Sequence, residues 1–127
     1  DKVFHLYRLR IRNNVPLMLE DSYINYGKCE GLETHNFAEE SLYKVLDDSK
    51  ILLTKGKEKI GITFATEEEA RLLKVEEGQY LYYQSGVVND IAGESIEFFR
   101  IMARPDQVQY TNVLTRTDTG SERSDTI

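Results

Sequence analysis

The chain has 127 residues, of which 40% are hydrophobic and 30% charged, with eight glycines and two prolines. That length and balance predict one domain with a real core and exclude a disordered or fibrous chain. The formal net charge of −6 sets up a field that repels phosphate backbones, which argues against nucleic-acid binding by this piece alone.

Val3 to Arg12 alternates, with Val3, His5, Tyr7, Leu9 and Ile11 on one side and Phe4, Leu6, Arg8, Arg10 and Arg12 on the other. A period of two predicts a strand. Asn13-Asn14 is turn chemistry, because Asn tolerates left-handed backbone angles. A second strand over roughly Pro16 to Tyr26 completes a hairpin. Gly27 to Asn36 reads as loop. Phe37 to Leu46 reads as a helix, with Asn36 as its cap, Glu39 three residues on, and Asp47-Asp48-Ser49 as its end.

Ile51 to Phe64 is β-rich, broken by Gly56 and Gly61. Thr66 then opens a second helix with Glu69 as its capping-box partner, Ala70, Leu72, Leu73 and Val75 as its apolar side, and Glu76-Glu77-Gly78 as its close. Gln79 to Asn89 is a strong strand, and Ser95 to Ala103 is its hairpin partner across a turn at Asp90–Gly93. Tyr80, Tyr82 and Tyr83 are at home on such a strand, one face of which offers itself to a partner subunit. Arg104-Pro105-Asp106 is a break, and Val108 to Leu114 reads as a last strand. Residues 117–127 are polar without a hydrophobic period, and are expected to be a mobile tail behind a domain spanning 1–116. The order ββ-α-β-α-βββ with short turns predicts an α+β fold. Its antiparallel sheet has about six strands, with the helices against one face.

The chain opens at Asp1 and enters a strand almost at once, so it is expected to be a piece of a longer protein. It carries one cysteine, Cys29, so no intrachain disulfide can form, in keeping with a reducing cytoplasm. No apolar run approaches the roughly 18 residues of a membrane span, so neither a transmembrane helix nor a signal peptide is expected.

Arg8 and Arg10, two apart on a strand, project from one face. They form either a fork for phosphate or carboxylate or an ordinary polar face with ion pairs. Counting outward from the Asn13-Asn14 turn, Glu20 falls near Arg8 in the ladder, where it either accepts from ligand hydroxyls and N–H groups or neutralises the arginines. Ser41 and Tyr43 open a helix, which is either an anion seat or a solvated serine beside a core tyrosine. Glu97, between Ile96 and Phe98, faces a pocket, a partner or water. His5, His35 and Cys29 have no metal-ligand spacing. His5 reads as a satisfied core histidine, and Cys29 has no histidine near it in sequence to activate it. With no phosphate-binding glycine motif either, the expectation is no metal, no cofactor and no catalytic residue.

Several of these residues carry a family likeness. Arg8-Leu9-Arg10, Pro16, Glu20 with Ser22-Tyr23-Ile24, Ser41-Leu42-Tyr43 with Leu46, Ala70, Leu73, Val75, Gly78, Gly93, Ile96-Glu97, Arg104 and Asp106 occur in order. Together, over roughly Val3 to Tyr110, they resemble the UTRA domain of GntR-superfamily regulators of the HutC type. That resemblance implies a chorismate-lyase-like fold and a sensor that binds a small anionic metabolite, such as a sugar phosphate. It also implies that Arg8, Arg10, Glu20, Ser41, Tyr43 and Glu97 contact the effector, that the domain forms a homodimer, and that DNA is bound only by a winged-helix domain absent here. The sequence departs from the family at Ala103, near which many relatives carry an aromatic, and at Gln84, near which many carry an arginine. Two other readings compete with the sensor: an enzyme of the same fold with chorismate pyruvate-lyase-like activity, and a dimerisation module without a ligand.

Overall fold

The computed structural model describes residues 2–108 and, as backbone, 115–117 and 120–122. β1 (Val3–Arg12) and β2 (Val15–Asn25) form the first hairpin. Asn13 and Asn14 between them have φ of 51° and 64°. Two successive left-handed residues make the tight turn whose twist matches that of the strands. β3 (Leu53–Phe64), β4 (Tyr80–Asp90) and β5 (Ser95–Ala103) complete a five-stranded sheet of order β1-β2-β5-β4-β3, antiparallel throughout. α1 (Leu42–Asp48) lies between β2 and β3 in the chain, and α2 (Glu67–Leu73) between β3 and β4.

Two further short strands, β6 (Thr115–Thr117) and β7 (Gly120–Glu122), pair with each other. β7 lies within the stretch expected to be a tail. Of the strand expected over 108–114, only Val108 is among the described residues. Its N–H donates to the Arg104 carbonyl at 3.1 Å, in the turn that follows β5.

Side chains alternate along a strand, so the register assigns each to a face. Phe4, Leu6, Arg8 and Arg10 share a face with Ile24, Ser22 and Glu20 of β2 and with Glu97, Phe99 and Ile101 of β5. Leu9, Leu19 and Met102 share the opposite face. α1 buries Leu42, Val45 and Leu46 with Ile24 and Ile96, against Phe4 and Leu6. α2 buries Ala70 and Leu73 with Leu19, Leu81 and Met102, against Leu9. The helices therefore cover opposite faces of the sheet, not the single face expected. Each helix has seven residues, too few to hold together in water unaided. A fully buried leucine contributes about 1.5–3 kcal/mol, so packing is what keeps them folded.

The first turns are built as their sequences dictate, with one correction. Thr66 and Glu69 exchange the two hydrogen bonds of a capping box, at 3.0 and 3.2 Å. At the other end of α2, the Arg104 guanidinium donates to the Leu73 carbonyl at 3.1 Å, tying the helix to the end of β5. α1 begins at Leu42, not at Phe37. The Asn36 side chain accepts from the Ala38 N–H, and Glu40 reaches back to the Asn36 N–H, closing a single separate turn. Ser41 then takes extended angles, φ −80° and ψ 128°, and caps the true helix through the Lys44 N–H.

His5 is a second correction. Its side chain is 49% exposed, hydrogen-bonded to the buried Asp21 and stacked on Tyr23, so it is not a core residue. The apolar neighbours of its strand face are themselves exposed at Val3 and Tyr7.

Candidate functional site

The β1–β2 ladder places Arg8 directly opposite Glu20, because a bulge between Arg10 and Ile11 shifts the register by one residue from the Arg8–Leu19 pairing that the turn alone would give. The same row continues through Ile101 of β5 to Gln84 of β4. Two residues along β5 from Phe99, Glu97 stands on the same face and is 3% exposed. α1 is seated on this face by Leu42, Val45 and Leu46, and that packing swings Tyr43 out over the sheet. The Tyr43 hydroxyl donates to Glu97 Oε1 at 2.7 Å.

Between α1 and the sheet lies a hollow of about 220 Å³. Arg8, Arg10, Glu20, Ser41, Tyr43 and Glu97, all six of the residues singled out from the sequence, line it. Ser22, Leu42, Gln84, Phe99, Arg100 and Ile101 also line it. Ser22 entered only through the family likeness, and Gln84 only as a departure from it. Phe99 and Ile101 were overlooked, although alternation from Glu97 places both on its face.

The electrostatics of the hollow are uneven. Arg10 Nε donates to Glu20 Oε1. The other oxygen of Glu20 lies 3.6 Å from Arg8 Nη2, within ion-pair reach but too long for a hydrogen bond. The Arg8 side chain is only 12% exposed, and its Nε and Nη1 are buried without any hydrogen-bond partner. Burial, and secondarily the charge of Arg10, pull the Arg8 pKa below its ordinary value, while Glu20, Glu97 and Tyr43 act to raise it. The guanidinium nevertheless stays charged at any physiological pH. A buried donor left unpaired costs about 1–3 kcal/mol.

Tyr43 is the counterpart. Burial of its hydroxyl, then the charge of Glu97 and the hydrogen bond to it, push its pKa well above the ordinary tyrosine value. It therefore remains a donor to Glu97. Ser41 Oγ accepts from Lys44 N at 3.4 Å, which leaves its proton free to donate. The hollow thus combines two guanidiniums, a hydroxyl donor and two carboxylates able to accept. That set can hold an acid group at one end and take hydrogen bonds from hydroxyls or N–H groups at the other. Among the described residues no cluster of three or more metal-ligating side chains occurs.

The fold has clear relatives. The chain is 31% identical over 78 residues to the histidine utilization repressor of Pseudomonas putida, across 61% of this chain and 31% of the repressor. It therefore spans less than a third of that relative's length. Among solved structures, PhnF from Mycobacterium smegmatis superposes with a TM-score of 0.83 at 24% identity, over 91% of this chain and 51% of that one. A ligand-binding domain assigned to a GntR-family transcriptional regulator from Bordetella bronchiseptica gives 0.79 at 23% identity, over 89% and 73% of the two chains. These likenesses carry the fold, the chorismate-lyase-like α+β arrangement expected. The family model of the UTRA domain matches residues 1–109, which takes in both faces of the sheet and every residue of the hollow. On that match the chain belongs to the UTRA domain family, the effector-binding domains of GntR-family transcriptional regulators.

Proposed function

We propose that this domain senses a small anionic metabolite, a sugar phosphate being one such class, and catalyses nothing. The acid group docks on Arg8 and Arg10, Ser41 adds a donor, and Glu20 and Glu97 accept from hydroxyl or N–H groups on the effector. The observation that carries the reading is Arg8. A guanidinium that lines a hollow while two of its donors are buried without partners is a poor structural element and a good anion receptor. An incoming phosphate or carboxylate supplies the missing acceptors and relieves the cost of burying them.

In the whole protein the domain works in the cytoplasm as a homodimer, and DNA is bound by a winged-helix domain outside this chain. Effector binding then biases the pair between DNA-bound and released arrangements, to the extent that the two differ in affinity for effector. The net charge of −6 fits a division of labour in which the basic surface belongs elsewhere.

The test is a thermal-shift screen of the chain against phosphorylated sugars and small acids. An effector at 100 times its Kd stabilises by roughly 2.7 kcal/mol. Arg8→Ala and Arg10→Ala should each abolish that response and leave the fold intact. A response of wild-type size in both variants would remove the anion clamp, and pyruvate release on incubation with chorismate would favour an enzyme of this fold. Light scattering that found only monomer at high concentration would rule out the homodimer.

A further inference from the structure

The trough under Tyr43 does not end at the arginines. A second hollow, of about 410 Å³, adjoins the first, and Tyr43, Gln84 and Phe99 line both. Gln84 and Phe99 stand on one face of the neighbouring strands β4 and β5, so they form a common floor, with Tyr43 reaching over it from α1.

Beyond Gln84 the floor is made of glycine. Gly86 is the register partner of Phe99, and a Cβ added there would stand 2.7 Å from Phe99 Cζ. The absent side chain lets the phenyl ring lie down across β4. Gly56 sits where the β3 register slips between Lys55 and Glu58. A Cβ there would meet the Val87 carbonyl oxygen at 2.5 Å. Leu53 and Val88 supply the walls. Phe99 belongs to a central strand, yet it is only partly buried, and among the described residues no other ring packs against it. The first hollow is lined mostly by charged and polar groups, whereas the second presents a partly exposed aromatic ring on a bed of glycine, with Leu53, Val87 and Val88 beside it and Lys57 and Glu58 also in its lining.

We infer that the effector carries a planar apolar group as well as its acid, and that this group lies on Phe99 in the second hollow while the acid is held by Arg8 and Arg10. The inference rests on the anion seat proposed above and extends it. Ring-on-ring contact and the area it covers should strengthen binding on the order of tenfold.

Calorimetric titration of the chain with methyl phosphate and with phenyl phosphate tests it. The two share an anion and differ in the ring. Phenyl phosphate should bind roughly tenfold tighter. Val88→Phe plugs the second hollow from a residue that does not line the first, and should erase that advantage while methyl phosphate binds as before. Thr54→Trp, at an exposed position on the rim, does the same should the first variant not fold. Equal affinity for the two esters in the wild-type chain, or an advantage that survives both plugs, would overturn this inference and leave the anion seat standing. If neither ester binds at all, the anion seat fails and the inference goes with it.

Discussion

Glu20 and Asp21 are neighbours in β2, and each gathers cationic side chains, but they do so on opposite faces of the sheet. On the α2 face, Asp21 is 3% exposed and its register partner is Arg100. Its two oxygens are taken by Arg100 Nη2 and by His5 Nε2, and the His5 ring is stacked on Tyr23 with centroids 4.4 Å apart and planes within 6°. On the α1 face, Glu20 is engaged by Arg10, and Arg8 is left with two buried donors unpaired beside a hollow. The first cluster is closed on itself, and the second is missing a component. The comparison separates charge that serves the fold from charge that waits for a ligand, and the distinguishing mark is satisfaction, since each cluster sets one carboxylate between two basic side chains.

The largest expected effect sharpens this contrast from the open side. Arg8→Met keeps the volume of the side chain and removes the orphaned donors. It should weaken binding of phosphate esters by at least about 100-fold, or ~2.7 kcal/mol, and change unfolding stability by less than about 1 kcal/mol, in either direction. Titration calorimetry and urea unfolding read the two quantities. Asp21→Ala is the mirror experiment. It strips Arg100 and His5 of their acceptor, and both are exposed enough to find water. The expected loss is therefore about 1–3 kcal/mol of stability, below the range for a fully buried pair, with phosphate affinity nearly unchanged. A loss under about 0.5 kcal/mol, the scale of an ordinary surface change, would erase the distinction between the clusters.

Thr66→Ala should cost about 1 kcal/mol by opening the capping box of α2, again without effect on ligand affinity, because α2 lies on the closed face. The smallest effect concerns pH. The folded state holds the Tyr43 proton more tightly than the unfolded chain, whose tyrosines ionise near 10.0. The stability this contributes is complete below that pH and is lost as pH rises through and above it. Tyr43→Phe should therefore flatten the alkaline fall in stability, by about 1 kcal/mol or less near pH 11. Urea midpoints measured across pH 8 to 11 check it.

Local chemistry was readable wherever neighbouring residues decide the outcome. Asn13-Asn14 specified the turn, but that turn alone would pair Arg8 with Leu19; the bulge between Arg10 and Ile11, which the sequence does not announce, sets Arg8 against Glu20. Thr66 and Glu69 announced their own helix start. Where distant packing decides, the sequence was silent. The start of α1 was misread because Asn36 and Glu40 close a convincing cap that leads to one turn only. The apolar stripes of the two helices carry no label for the face they will cover. His5 was read as core because its strand neighbours are apolar, but it is Asp21, sixteen residues away, that holds it at the surface. The second hollow was hidden in two glycines: Gly56, which reads as a simple interruption, marks a bulge, and Gly86, unmarked within a strong strand, is the bed of a ring.

The outer strands have a bearing on how copies of the chain can meet. Among the described residues, β1 and β3 are the edges of the sheet, and both are cationic in a chain of net charge −6. Arg10 and Arg12 mark one edge, and Lys57 and Lys59 the other. The slip at Gly56 further spoils the regularity of the second. Unpaired strand edges invite extension into a neighbouring molecule, and like charge together with an irregular edge is how folded chains discourage it. Two copies brought side by side would confront arginine with lysine or each with its own kind. Self-association through ribbon-like continuation of the sheet is thereby disfavoured, and faces are left as the surfaces through which a pair can form.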